Sequence, residues 1–283
     1  MASFRYVVAD VFTDRPLTGN QLAVFTDARD IPEDSLQPLA REMNFSETVF
    51  VYSPESTGHA RIRIFTPVDE VPFAGHPVLG TAFVLGGPMQ LPEIRLETGA
   101  GVVPVSLERE NGRIVSGRMS QPIPSVEPYE FAAELLAALG VECSELPVEV
   151  YDNGMTHVYV ALESAAAVAA LEPDARAIVK ATGGVDIAVN CFAGSGLRWK
   201  TRMFAPGGGV LEDPATGSAA GPLACHLARH GLISFGDEIE IEQGVELNRP
   251  SVLLARAEGS ADRIERVEVA GSAVIVARGE FRF

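Results

Sequence analysis

Two stretches share one plan: "FTPVDEVPFAGHPVLGTAFVL" (Phe65–Leu85) and "FAPGGGVLEDPATGSAAGPLACH" (Phe204–His226). Each runs F-x-P, then an acidic residue and a proline, then a glycine at the head of an apolar segment built from small residues. Such a segment reads as a helix, from Pro77 to about Leu85 in one copy and from Ala219 to about His230 in the other. Just upstream, "SETVFVYSPESTGHARIRIF" and "VDIAVNCFAGSGLRWKTRMF" both read as strand, turn, strand. Repetition at this length means two copies of one supersecondary unit and not a solenoid. Strand-rich halves with one prominent helix each predict an α+β fold in which a sheet wraps that helix.

The repeat sets the domain reading. The first domain is expected over residues 1–118 and the second over 119–271, with "SQPIPSVEP" (Ser120–Pro128) as the linker. The C-terminal strand, 272–283, is free to rejoin either domain. Further strands are read in "RYVVADVF", "QLAVF", "HVYVAL" and "AVIVARGEFRF". Helices are read in "EDSLQPLAREM", in "EFAAELLAALG" with Gly140 as its terminator, and in two short pieces either side of Pro173.

Composition narrows the function classes. The 283 residues are 47% hydrophobic and 21% charged, as in globular domains, and the formal net charge is −16. That balance disfavours nucleic acid and anionic membrane as partners, because phosphates are repelled. No apolar run reaches membrane-spanning length, and the N-terminus has no signal-peptide core. Three cysteines without a C-x-x-C pair fit a reducing compartment, so the cytoplasm is the expected location.

The two helix starts carry the candidate chemistry. A helix N-terminus presents unpaired N–H groups and a partial positive charge, which suits a carboxylate. Gly75-His76-Pro77 and Gly217-Ser218-Ala219 give a ligand close access to that backbone. Asp213, a few residues upstream of the second start, is placed to receive a hydroxyl or amine. Pseudo-symmetry would aim both ends at one cleft. Other groups read blandly. His226 and His230 stand at i, i+4 without the glutamate of H-E-x-x-H and are expected to be a surface pair. "GGG" at 207–209 is read as a flexible loop, Cys225 as core, and His59 and His157 as structural or surface residues. No metal site is expected.

In the order "GNQLAVF", "SETVFV", "TPVDEVPFAGHPVLG" and "EDPATGSA", the chain resembles the phenazine-biosynthesis PhzF-like family over nearly its whole length. One signature departs: the family's Q-G-x-x-x-G-R-P-S appears here as "QGVELNRPS", with Asn248 in place of glycine. The resemblance implies two pseudo-symmetric diaminopimelate-epimerase-like domains, each a sheet-built barrel around a central helix, with the active site between them. It implies an isomerase that moves a proton and a double bond in a small cyclic or unsaturated carboxylate, without metal or organic cofactor, commonly as a homodimer. Carried over by motif, Glu47 is the general acid/base. Gly75, His76, Asp213, Gly217 and Ser218 hold the substrate, with His76 and Asp213 also counted in the catalytic set, and Asn20 and Ser46 lie nearby. Such a base needs a raised pKa, which partial burial of Glu47 at the head of "TVFVYS" would supply. Two rivals are weighed. An amino-acid epimerase would need paired cysteines at the helix starts, where this chain has His76 and Ser218. A small-carboxylate-binding protein without a reaction is disfavoured by Glu47, His76 and Asp213 occurring together.

Overall fold

The structure, a computed structural model, describes residues 2–283. The chain forms two compact units. One reaches to Ser120 and resumes at Val269–Phe283, and the other is Gln121–Glu268.

The first unit runs β1 (Ser3–Val11), β2 (Asn20–Phe25), α1 (Glu33–Met43), β3 (Glu47–Tyr52), β4 (Ala60–Phe65), β5 (Glu70–Val71), α2 (Gly75–Met89), β6 (Glu93–Thr98), β7 (Gly101–Glu110) and β8 (Arg113–Gln121). The second runs β9 (Ser125–Pro128), α3 (Ala132–Leu139), β10 (Glu149–Asp152), β11 (Thr156–Ala161), α4 (Ala165–Ala169), α5 (Ala175–Ala181), β12 (Ala188–Ser195), β13 (Arg198–Ala205), β14 (Val210–Asp213), α6 (Gly217–Arg229), β15 (Glu238–Gln243), β16 (Ser251–Ser260) and most of β17 (Arg263–Gly271), whose residues from Val269 count with the first unit. The chain closes with β18 (Ala273–Arg282), which lies antiparallel to β1 from Ser3↔Arg282 to Val11↔Ala273. The terminal strand thus belongs with the first unit.

Strand pairing repeats between the units. In the first, β2 and β3 are parallel, β3 and β4 antiparallel, β4 and β5 antiparallel, and β4 and β6 parallel. In the second, β11 and β12 are parallel, β12 and β13 antiparallel, β13 and β14 antiparallel, and β13 and β15 parallel. In each, the helix with the G-H-P or G-S-A start is the crossover to the parallel strand, α2 leading to β6 and α6 to β15. The short acidic strand before it, β5 or β14, ends at the turn that feeds that helix.

Both crossover helices are central. In α2, residues 75–84 and 86 are buried, and in α6 every residue from Gly217 to Ala228 is buried. A helix buried on all sides needs small or apolar residues throughout, and both sequences supply them. α2 packs on β1, β2, β3, β6, β7 and β18. The approach is close: a Cβ at Gly80 would stand 2.6 Å from Leu22 Cδ2 and 2.7 Å from Val11 Cγ2. α6 packs on β11, β15 and β16. The outer helices cover separate cores. α1 sits over Phe4, Phe25, Phe50 and Phe65, and α3, α4 and α5 pack with Val158, Val160, Val189 and Cys191. The result is a mixed α+β fold, a sheet curled round one helix in each unit.

Two local expectations change. Both central helices begin two residues earlier than read, because Gly75-His76 and Gly217-Ser218 already adopt helical turns. The 207–209 glycines are not a loose loop: Pro206–Gly208 forms a 3-10 turn, and Gly209, at φ 83°, leads into β14.

Candidate active site

His76 and Ser218 are each the second residue of their helix, so the repeat puts them in equivalent places. In the first unit, α2 follows extended Ala74 (φ −152°) and carries His76 into the protein at 2% exposure. Asn20, the first residue of β2, is also buried, and its Nδ2 lies 3.2 Å from His76 Nδ1. An amide nitrogen can only donate, so in this orientation Nδ1 accepts, and the opposite ring nitrogen is Nε2. That nitrogen lies 3.4 Å from Oε2 of Glu47, the first residue of β3. Because β2 and β3 run parallel with Leu22 opposite Glu47, their starts are neighbours, and the His76 ring meets Asn20 at one nitrogen and approaches Glu47 with the other. The Glu47 side chain is 14% exposed. Ser46 and Gly75 flank Glu47 and His76 in the chain, with Ser46 half-buried and Gly75 buried.

In the second unit, Asp213 ends β14 and is buried, and its Oδ2 accepts a 2.7 Å hydrogen bond from Thr216 Oγ1. Thr216 is the cap residue of α6, and its carbonyl accepts from the N–H groups of Ala219 and Ala220. Helical geometry gives the N–H groups of Gly217 and Ser218 no acceptor inside the helix. Three side chains then hold the carbonyls of this first turn: Gln121 Nε2 donates to Gly217 O at 2.7 Å, Asn153 Nδ2 to Ser218 O at 2.9 Å, and Tyr159 Oη to Ala219 O at 2.6 Å. The Asn153 bond has a specific cause. Pro222 lacks the N–H that would normally bond Ser218 O, and Asn153 replaces it. Asn20, Glu47 and His76 therefore gather in one unit, and Asp213, Gly217 and Ser218 in the other.

The histidine expectations need correction. His226 is not a surface residue: it is 0% exposed, with Tyr159 stacked at 5.7 Å and Phe192 edge-on at 5.7 Å. His226 Nδ1 and His230 Nε2 each lie 3.1 Å from Glu149 Oε2, which also accepts from Arg229 Nη1 at 2.7 Å and Tyr151 Oη at 3.0 Å. Burial alone would raise Glu149, but these four donors hold it well below the usual carboxylate range. Burial also lowers His226. Glu149, His226 and His230 bring three ligand-type atoms within 4.8 Å of one another. Sequence spacing misses this set because Glu149 lies 77 residues before His226. The Arg229 guanidinium already supplies a cation there. His157 is wholly buried, and His59 accepts from the Arg95 N–H at 3.0 Å.

The cysteines do not fit two-base racemase chemistry. Cys191 lies in β12 and Cys225 inside α6, and burial pushes both thiols up to about 12. Cys143 is exposed, in the segment between α3 and β10. None stands at a helix start.

The description "Phenazine biosynthesis-like protein" (PhzC-PhzF) matches residues 9–279. Trans-2,3-dihydro-3-hydroxyanthranilate isomerase of Pseudomonas aeruginosa is 55% identical over 275 residues, covering 97% of this chain and 98% of that protein. A Bacillus anthracis phenazine biosynthesis protein of the PhzF family superposes with a TM-score of 0.83 at 25% identity, over the full length of both chains. A hydroxyproline epimerase of Agrobacterium vitis shares the fold at 12% identity, with a TM-score of 0.66 over 99% of this chain and 91% of that one. With the motifs, the repeated topology and these matches in agreement, the chain belongs to the phenazine biosynthesis-like PhzC-PhzF family and is an isomerase.

Proposed function

We propose that the chain isomerises trans-2,3-dihydro-3-hydroxyanthranilate, or a small cyclic unsaturated carboxylate like it, by general acid–base catalysis at Glu47. The observation that carries this reading is His76, buried between Asn20 on Nδ1 and the partly buried Glu47 beside Nε2. Glu47 takes a proton from an activated carbon, and the electron pair spreads through the conjugated system. The carboxylic acid so formed returns the proton to another carbon. A double bond moves, nothing is oxidised and no group leaves. Asn20 holds the His76 ring, whose Nε2 lies 3.4 Å from Glu47 Oε2 and closes that side of the carboxylate. Asp213, Ser218 and the first-turn N–H groups at Gly75 and Gly217 hold the substrate's carboxylate and polar substituents. Unpaired cysteines fit a reducing compartment, so the cytoplasm is the proposed place of action.

Glu47→Gln tests the assignment, because it keeps the shape and removes the base. Turnover of trans-2,3-dihydro-3-hydroxyanthranilate should fall by about 10² to 10⁴, with binding held within about tenfold. Proton NMR in D₂O should show deuterium entering the product of the wild type. A folded Glu47→Gln enzyme at near wild-type rate would remove Glu47 from the mechanism.

A further inference from the structure

Beneath the turn that carries Asp213, the four hydrogen-bonding positions of one amide are all used. Gln243, the last residue of β15, donates from Nε2 to Asp213 O at 2.8 Å and to Thr216 Oγ1 at 2.9 Å. Its Oε1 accepts from the Thr216 backbone N–H at 3.1 Å and from Thr201 Oγ1 at 3.2 Å. Two backbone groups fix the orientation of this amide. The Asp213 carbonyl can only accept and the Thr216 N–H can only donate, so nitrogen and oxygen cannot be exchanged. Since Thr216 Oγ1 accepts a hydrogen bond from Gln243, its own O–H points to Asp213 Oδ2, 2.7 Å away. Gln243, Thr216, Thr201 and Asp213 are all buried, at 3, 6, 5 and 4% exposure, so water offers little competing partnership.

The following residue explains how the strand comes this close. Gly244 has φ 77°, and a Cβ there would stand 2.5 Å from both Arg249 O and Pro214 O. The "QG" of "QGVELNRPS" therefore has two parts: glutamine supplies the amide, and glycine lets its backbone lie against the Asp213–Thr216 turn.

We propose that Gln243 and Thr216 are positioning residues that act through Asp213: the amide sets the direction of the Thr216 hydroxyl, and the hydroxyl fixes the Asp213 carboxylate for the substrate's amine or hydroxyl. This rests on the reading of Asp213 as a substrate-holding group. The effect belongs in substrate affinity, because the relay ends on a holding group and not on the proton carrier.

Steady-state kinetics on trans-2,3-dihydro-3-hydroxyanthranilate test it with Asp213→Asn, Thr216→Val, Thr216→Ser and the double variant Asp213→Asn/Thr216→Val. Asp213→Asn and Thr216→Val should each raise KM roughly 10- to 100-fold, the scale of a lost hydrogen bond to a charged group, with kcat within about threefold. Thr216→Ser, which keeps the hydroxyl, should restore KM to within about threefold. The double variant should be no worse than Asp213→Asn alone, because Thr216 acts on the substrate only through the carboxylate that the first change removes. Gln243→Met should follow Thr216→Val, and it serves if Thr216→Val does not fold. A wild-type KM in Thr216→Val, or a full extra loss in the double variant, overturns the relay while leaving Asp213 as a holding group. An unchanged KM in Asp213→Asn overturns the reading of Asp213, and the relay with it.

Discussion

His157 should make the second unit acid-labile, and the size of the effect can be worked out. His157 lies on β11 opposite Ala188 of β12, with 0% exposure. Its Nδ1 faces Asn190 Nδ2 at 3.5 Å, so it meets a donor and not a carboxylate. Burial pushes the ring down to about 3, and the charge of Asp152 opposes this only in part. An unfolded histidine titrates near 6.5. The unfolded chain therefore takes up the proton first, so stability is full above about pH 6.5 and falls as pH drops toward 3. At pH 5.0 the loss from this ring is about 2 kcal/mol, and at pH 7.5 it is about 0.1 kcal/mol or less. His157→Gln can still accept from Asn190 but takes up no proton in this range. Trp199, the single tryptophan, sits on β13 in the same unit at 6% exposure, so its fluorescence during urea unfolding reports this unit. Between pH 7.5 and 5.0 the wild type should lose about 2 kcal/mol more than His157→Gln, and other titrating groups cancel in the comparison. Equal losses, within about 0.5 kcal/mol, would mean that His157 protonates in the folded state and that its burial does not exclude the charge.

Asn248 occupies the left-handed region, at φ 56° and ψ 27°. Asn248→Gly should stay within about 0.5 kcal/mol in urea unfolding, whereas Asn248→Ala should cost about 1 kcal/mol, because a Cβ is disfavoured there and Asn tolerates it best. Native protein at pH 8 should react with a thiol reagent at Cys143 alone, with Cys191 and Cys225 labelled only in denaturant, and the labelled enzyme should keep its turnover. Early labelling of three thiols would contradict the burial of Cys191 and Cys225, and loss of activity with the first would contradict turnover that is independent of thiols.

By itself the sequence determined the repeat and much of its meaning. β-branched runs such as "ETVFVY" and the apolar, small-residue heads of α2 and α6 follow from local periodicity, which survives in any context. α1 was legible to the residue, because acidic residues open it and Asn44 closes it in the left-handed conformation. β6, β7, β15 and β16 were not read. "EIEIEQ" alternates and so marks its inner face, but its pairing with β13 and β16 and its register against them are not written in the segment itself. The same limit applies to the polar groups. Glu47, His76 and Asp213 stand in recognisable motifs, but Gln243 lies 27 residues beyond Thr216 and Glu149 lies 77 before His226. Only the sheet, by placing β15 beside β13 and α6 over β11, brings those atoms to hydrogen-bonding distance. A buried His226 and a surface His226 have the same sequence. The difference is desolvation, which depends on what the rest of the chain packs around the ring.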